Sequence, residues 1–259
     1  MLQLAAERGV DTLDTAIDYG DSEVCLGEAG VSDFKIVTKL PAIPADRSDI
    51  VAWVHEQVSA SMDRLGVKQL YGLLLHRSED LLGSNGELLN RALLELKDKG
   101  QVRKLGVSIY EPQELDAITK LYSLDLVQAP FNLVDRRLQS TGWLERLKTK
   151  DIEIHTRSVF LQGLLLMPQK ALPRQFVRWD RLWCQWHQWL FTNNVYAVQS
   201  CLAFPLAFDG IARVVVGADN LNQLAQIIDA SSSPLPLATL PNLQSDDVNL
   251  INPACWSSW

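Results

Sequence analysis

Short apolar runs rich in Val, Ile and Leu alternate with longer amphipathic stretches along this 259-residue chain, and that alternation limits the available folds more than any other feature. Seven runs read as strands, over residues 10–16, 34–40, 70–76, 104–109, 126–131, 152–159 and 213–218. They are bounded by Gly, Pro or charged residues, as strands covered on both faces should be. Helical stretches lie between them, the clearest over residues 48–65, 87–99, 112–122 and 220–230, and a further helix over 1–9 has no strand before it. Strand–helix repetition of this kind implies an α/β fold on a parallel sheet.

Local signals mark the helix ends. Ser48 stands before the apolar periodicity as a cap, and Gly66 follows where a left-handed residue is easiest. Gly100 closes residues 87–99 in the same way, with Lys97 and Lys99 in the last turn against the dipole. Pro112 suits a first helical turn, where its missing N–H costs nothing. No shift of composition divides residues 1–232, which read as one domain. Residues 233–259 read as an irregular tail packed on its outside. A closed (β/α)8 barrel needs eight strands, whereas an open doubly wound sheet accepts seven, so the count leaves both architectures open. In a barrel, the strand lacking a counterpart is the first.

Composition removes several classes. Apolar residues are 47% and charged residues 21% of the chain, which excludes disordered and fibrous proteins. A net charge of −7 argues against nucleic acid, which needs a basic stripe. The most apolar stretch, residues 195–208, is broken by Gln199, Ser200 and Pro205 and falls short of the roughly 20 residues of a membrane span. The N-terminus has no basic region of a secretory signal. Cys25, Cys184, Cys201 and Cys255 lack metal-site spacing, so reduced thiols in a cytoplasm and no metal are expected.

Parallel α/β folds gather chemistry at the carboxyl ends of their strands. The first visible strand ends in Asp14, with Tyr19 in the loop that follows. The next ends in Lys39, and the third in His76. Three neighbouring strands therefore bring a carboxylate, a phenol, an ammonium and an imidazole to one rim. A Tyr beside a protonated Lys has its pKa lowered from about 10, which suits proton exchange nearer neutrality. Taken singly, Asp14 is equally a turn former, Lys39 a solvated strand end and His76 a loop histidine. Their coincidence at consecutive strand ends favours chemistry. Elsewhere the bland reading prevails. Trp179, Trp183, Trp186 and Trp189 recur at helical spacing as core residues do. His55, His155 and His187 read as packing or surface groups, and Arg136-Arg137 as a charged loop without a phosphate cradle.

These residues carry a resemblance. Leu13-Asp-Thr-Ala-Ile-Asp-Tyr-Gly-Asp-Ser-Glu, Val37-Thr-Lys and Leu73-Leu-Leu-His resemble the Asp, Tyr, Lys and His blocks of the aldo-keto reductases. Gln101-Val-Arg-Lys-Leu-Gly-Val-Ser, Val127-Gln-Ala-Pro-Phe-Asn-Leu, His155-Thr-Arg-Ser-Val-Phe-Leu-Gln-Gly-Leu-Leu and Val214-Val-Val-Gly-Ala-Asp resemble that family's strands five to eight, in order. The likeness is greatest to the bacterial branch related to aryl-alcohol dehydrogenases. It implies a (β/α)8 TIM-type barrel, cytoplasmic and monomeric, that moves hydride between NAD(P)H and a small-molecule carbonyl: an aldehyde, ketone or aldose. It further implies Tyr19 as general acid, Lys39 depressing its pKa, Asp14 holding Lys39, and His76 orienting the carbonyl. Ser108 and Gln128 would hold the nicotinamide amide, and Arg157 and Ser158 would border the nicotinamide or pyrophosphate. Gly217, Asp219 and Gln223 would line the adenosine end.

The chain departs from the family at three places. Ile109 stands where an Asn usually follows the strand-five Ser. Residues 217–224 lack the Lys or Arg that many relatives set against the adenosine phosphate, and Asp219 would repel a 2′-phosphate, so both NADP and NAD stay open. The family's first strand and its Gly-containing turn have no counterpart, which would leave unpaired edges on the second and eighth strands. A truncated or non-catalytic reductase scaffold with a binding or regulatory role is the alternative reading. A barrel lyase or isomerase using Lys39 as a Schiff base is more remote. The substrate is not written in residues 161–180 or 242–259, the loops and tail that would set specificity.

Overall fold

A computed structural model describes residues 1–232, 235 and 240–258. They fall into two compact units. The first, Met1–Ala129 with Leu147–Ile154, carries α1 (Leu2–Glu7), β1 (Thr12–Asp14), α2 (Ser22–Ala29), β2 (Lys35–Leu40), α3 (Ile50–Leu65), β3 (Leu70–Leu75), α4 (Gly86–Asp98), β4 (Val102–Ser108), α5 (Glu114–Leu121) and β5 (Leu126–Pro130) up to its last residue. The second, Pro130–Arg146 with His155–Trp259, carries α6 (Arg137–Ser140), the start of α7 (Trp143–Thr149), the end of β6 (Glu153–Arg157), α8 (Asp180–Asn193), α9 (Ala197–Leu206), β7 (Arg213–Val214), α10 (Leu221–Ser231) and α11 (Val248–Ile251).

In the first unit β1 to β5 pair in parallel and in chain order, with Asp14 beside Val37, Lys39 beside Leu74, and Ser108 beside Gln128. The apolar runs form these strands because both faces are covered. Val37, Leu74 and Leu126 pack together with no exposure, and Val54, Val58, Leu89 and Leu115 bury the helices. Each such side chain removed from water stabilises the fold by about 1.5–3 kcal/mol. Gly106 is set by close approach: a Cβ there would lie 1.8 Å from the Leu126 carbonyl oxygen. In the second unit His155 pairs with Arg213 and Thr156 with Val214, again in parallel. Trp183, Trp186 and Trp189 are buried on one side of α8, as their spacing predicts.

Several boundaries move, each for a local reason. The cap of α3 is Asp49, whose Oδ1 accepts from the Ala52 N–H at 3.0 Å, and not Ser48. Gly66 closes that helix at φ 67°, as expected. Pro112 stands two residues before α5, in a turn where its carbonyl accepts from the Leu115 N–H. β6 ends at Arg157 because Ser158 turns left-handed, at φ 60°. β7 stops at Val214, four residues before the end predicted for that strand, although the Val215 N–H still donates to the Thr156 carbonyl at 2.7 Å. Asp135 and Arg137 are buried and doubly hydrogen-bonded at 2.9 Å, so this segment is a closed ion pair where the sequence suggests a charged loop.

Among the described residues no helix is long and apolar enough to cross a membrane, and no cluster of His, Cys, Asp or Glu has the makings of a metal site. Part of the predicted tail, residues 233, 234, 236–239 and 259, lies outside the described residues. The rest is less irregular than expected, with α11 followed by a 3-10 turn over Pro253–Ser258. The Trp256 ring meets Phe176 edge-on at 4.9 Å, and Asp247 accepts from the Trp179 indole at 3.2 Å.

Candidate active site

The first unit assembles its polar side chains at the carboxyl ends of β1 to β5. Asp14 closes β1, and the chain then follows β2 for three more residues, with Thr15 N–H donating to Val37 O and Ile17 N–H to Lys39 O. A turn through Gly20, at φ 53°, brings Tyr19 back and launches α2, with the Ser22 N–H bonded to the Tyr19 carbonyl. His76 follows β3, its N–H on the Leu40 carbonyl at 3.0 Å.

Lys39 is 2% exposed, an environment that a lone ammonium does not tolerate. Its Nζ donates to Asp14 Oδ1 at 2.6 Å and to the Thr15 carbonyl at 2.8 Å. The same Nζ lies 5.3 Å from the centroid of the Tyr19 ring. The His76 ring stands edge-on to that ring, 5.8 Å away at 75°. Tyr19 itself is 49% exposed, although the residues behind it are buried. The four residues predicted from the strand ends therefore meet: an exposed phenol, backed by a buried cation and its carboxylate, beside an imidazole.

Ser108 and Gln128 are buried at the ends of β4 and within β5. Ser108 Oγ donates to Gln128 Oε1 at 3.4 Å, while Gln128 Nε2 donates to Asp14 Oδ2 at 2.7 Å. That second bond joins β1 to β5, strands that are not neighbours, so the sheet of this unit curves until its outer strands touch through side chains. Ile109 is buried and holds the Gln128 carbonyl only through its backbone N–H.

The remaining predicted residues lie in the second unit and form two groups. Arg157 Nη1 donates to Ser158 Oγ at 3.3 Å, and the Ser158 carbonyl accepts from Asn132 Nδ2 at 3.0 Å. Left-handed torsions continue at Leu161, Gln162 and Gly163, so four of six residues after β6 adopt a conformation that non-glycine residues avoid. Gly217, Asp219 and Gln223 are exposed around the start of α10. Gln223 Oε1 accepts from the Asp219 N–H at 2.8 Å, and Asn220 Oδ1 caps the helix through the Gln223 N–H at 3.0 Å. No basic side chain of residues 217–224 stands beside Asp219 in the sequence.

Two supporting residues escaped sequence reasoning. Glu23, 1% exposed on α2, accepts from Thr38 Oγ1 and Ser61 Oγ at 2.7 Å each. Arg64 adds Nε and Nη2 at 2.9 and 2.6 Å. This knot binds the helix that follows Tyr19 to the strand that carries Lys39. Asn132, fully buried after β5, accepts from the N–H groups of Val134 and Asp135 besides holding Ser158. Partners 15 to 41 residues away leave no local signal for Glu23; for Asn132, an Asn opening a Leu-Val-Asp turn was a signal that could have been used.

Residues 1–245 match the profile of the Aldo/keto reductase family. Over 254 residues the chain is 25% identical to the uncharacterized oxidoreductase YqkF of Bacillus subtilis, covering 90% of this chain and 81% of that protein. It is 26% identical over 151 residues to the aldo-keto reductase YhdN of the same organism, covering 54% and 45%. The solved holo form of aldo-keto reductase AKR11C1 from Bacillus halodurans has the same fold, with a TM-score of 0.76 at 22% identity over 93% of this chain and 84% of that one.

Proposed function

Because the chain belongs to the aldo/keto reductase family, and so to the oxidoreductases, we propose that it uses NAD(P)H to reduce an aldehyde, ketone or aldose to an alcohol, with Tyr19 as proton donor. One observation carries this reading: the unbroken contact from Gln128 through Asp14 and Lys39 to the Tyr19 ring, with His76 at its edge. The likeness in fold to AKR11C1 and the side-chain bond from β5 to β1 support a (β/α)8 barrel, with β1 in the place of its second strand. In this reading residues 1–232 form the barrel domain and 233–259 its tail, and the protein acts as a cytoplasmic monomer.

The side chains fit the cofactor by their chemistry. A nicotinamide carboxamide has one acceptor and one donor group, and the buried Ser108 hydroxyl and Gln128 amide offer complements to both. Arg157 and Ser158 would hold the phosphate side, and Gly217, Asp219 and Gln223 the adenosine end. When bound, NAD(P)H supplies the hydride. The chain handles the proton. Tyr19 Oη donates it to the substrate oxygen as charge develops there, and the Lys39 cation favours the phenolate left behind. Asp14 keeps Lys39 charged inside the fold, and the His76 imidazole directs the carbonyl oxygen toward Tyr19. Because Tyr19 is half exposed, it regains its proton from solvent.

The test is NAD(P)H oxidation with a panel of carbonyls, comparing the chain with Tyr19→Phe. Turnover by the first and its loss in the second is the expected result. Saturable binding of NAD(P)H without turnover of any carbonyl would transfer the reading to a binding protein on a reductase scaffold.

A further inference from the structure

We propose that Gln128 is a positioning residue for the proton donor, acting through Asp14, in addition to facing the nicotinamide. The proposal deepens the reductase reading and rests on it. Both oxygens of Asp14 are occupied by different partners: Oδ1 by Lys39 Nζ at 2.6 Å and Oδ2 by Gln128 Nε2 at 2.7 Å. A carboxylate held by one donor can rotate about its Cβ–Cγ bond, whereas one held at both oxygens is fixed, and it fixes Lys39 in turn. The amide donor also draws charge from Asp14, so the ammonium beside Tyr19 is less completely neutralised. Gln128 is 1% exposed and 114 residues from Asp14, and its own carbonyl is tied to the Ile109 N–H at 2.9 Å. Its side chain thus has two ends with separate duties. Nε2 holds Asp14, and Oε1, touched only at 3.4 Å by Ser108 Oγ, would accept from a cofactor's carboxamide.

The titratable groups around the Tyr19 ring are Lys39 from β2 and His76 beyond β3, with Asp14 of β1 reached through Lys39; Asp18 and Asp21 flank it in sequence. Their field is what Gln128 adjusts. Weakening the bond to Asp14 leaves the carboxylate free to oppose Lys39 fully, and the Tyr19 phenol then ionises at higher pH.

The test reads that ionisation in the cofactor-free protein, as the absorbance of phenolate with pH, taking the difference between each protein and its Tyr19→Phe counterpart. Gln128→Met, close in size and without a donor, is expected to move the Tyr19 transition upward by about half to one pH unit. Gln128→Glu restores the bond only while the two carboxyls share a proton, so its Tyr19 transition should equal or exceed that of Gln128→Met. Ser108→Ala, which leaves the Asp14 bond intact, is expected to weaken NAD(P)H binding and leave the Tyr19 transition in place. Tyr19 transitions unmoved in both Gln128 variants, whether or not cofactor affinity falls, would overturn the proposal. A protein that reduces no carbonyl but shows the shifted transitions would overturn the reductase reading and leave the role of Gln128 standing.

Discussion

Lys39 Nζ donates to Asp14 Oδ1 at 2.6 Å across 25 residues of chain, a charged pair in which the cation is buried and the carboxylate only 14% exposed. Replacing Lys39 by Met keeps the volume and removes the charge that favours the Tyr19 phenolate. The expected loss in kcat is about 10²–10⁴-fold, with cofactor affinity within about threefold of the parent, measured by NAD(P)H oxidation and by fluorescence titration.

Tyr19→Phe deletes one oxygen from a half-exposed side chain. Thermal unfolding is expected to stay within about 0.5 kcal/mol of the parent, while carbonyl reduction falls by about 10²-fold or more. A variant that retained normal turnover would remove Tyr19 from the proton path.

Most of this site was legible because Asp14, Lys39 and His76 each lie within one residue of a strand's carboxyl end, and strand ends are what periodic apolar runs reveal. Tyr19 follows by the shortness of its loop. Glu23 was not legible, since nothing in the sequence brings Thr38, Ser61 and Arg64 to one carboxylate. The ends of β6 and β7 were missed for a related reason. Val159 and Val216 have strand-like side chains, yet the left-handed torsion of Ser158 ends β6 at Arg157 and β7 runs no further than Val214. Ser48 and Asp49 both carry capping side chains, and only the backbone geometry that each adopts makes Asp49 the cap.

Glu23→Ala leaves the Arg64 guanidinium and two buried hydroxyls without their acceptor. Stability is expected to fall by about 3 kcal/mol, read from the midpoint of urea unfolding. Because the knot joins α2 to β2, the Tyr19 loop should exchange its amide hydrogens faster in this variant than in the parent.

Asp219 is exposed beside the start of α10, with its backbone N–H engaged by Gln223. If the adenosine end lies here as proposed, Asp219→Asn removes a charge that would oppose a 2′-phosphate without disturbing that bond. Affinity for NADPH relative to NADH is expected to rise about fivefold, or roughly 1 kcal/mol, and the gain should shrink in high salt. An unchanged ratio would place the 2′-phosphate elsewhere.

His187 has its pKa lowered from the ordinary 6.5 by burial, with Nε2 shielded and lacking a hydrogen-bond partner among the described residues. The folded chain therefore holds this proton less tightly than the unfolded one. The contribution of His187 to stability is present above pH 6.5 and is lost as pH falls through that value toward the lower folded pKa. His187→Gln should flatten the urea midpoint between about pH 5 and 7.

The turn after β6 has a different kind of significance. From Ser158 to Gly163 its path is written in torsion angles, with Leu161 buried as an anchor and Gln162 and Gly163 standing outside the core. Left-handed backbone favours glycine and asparagine over longer side chains, so Gln162→Gly relaxes the turn without moving its anchor. Descendants of this sequence can therefore vary what the turn displays while inheriting its shape, because the shape rests on torsions and on one buried leucine.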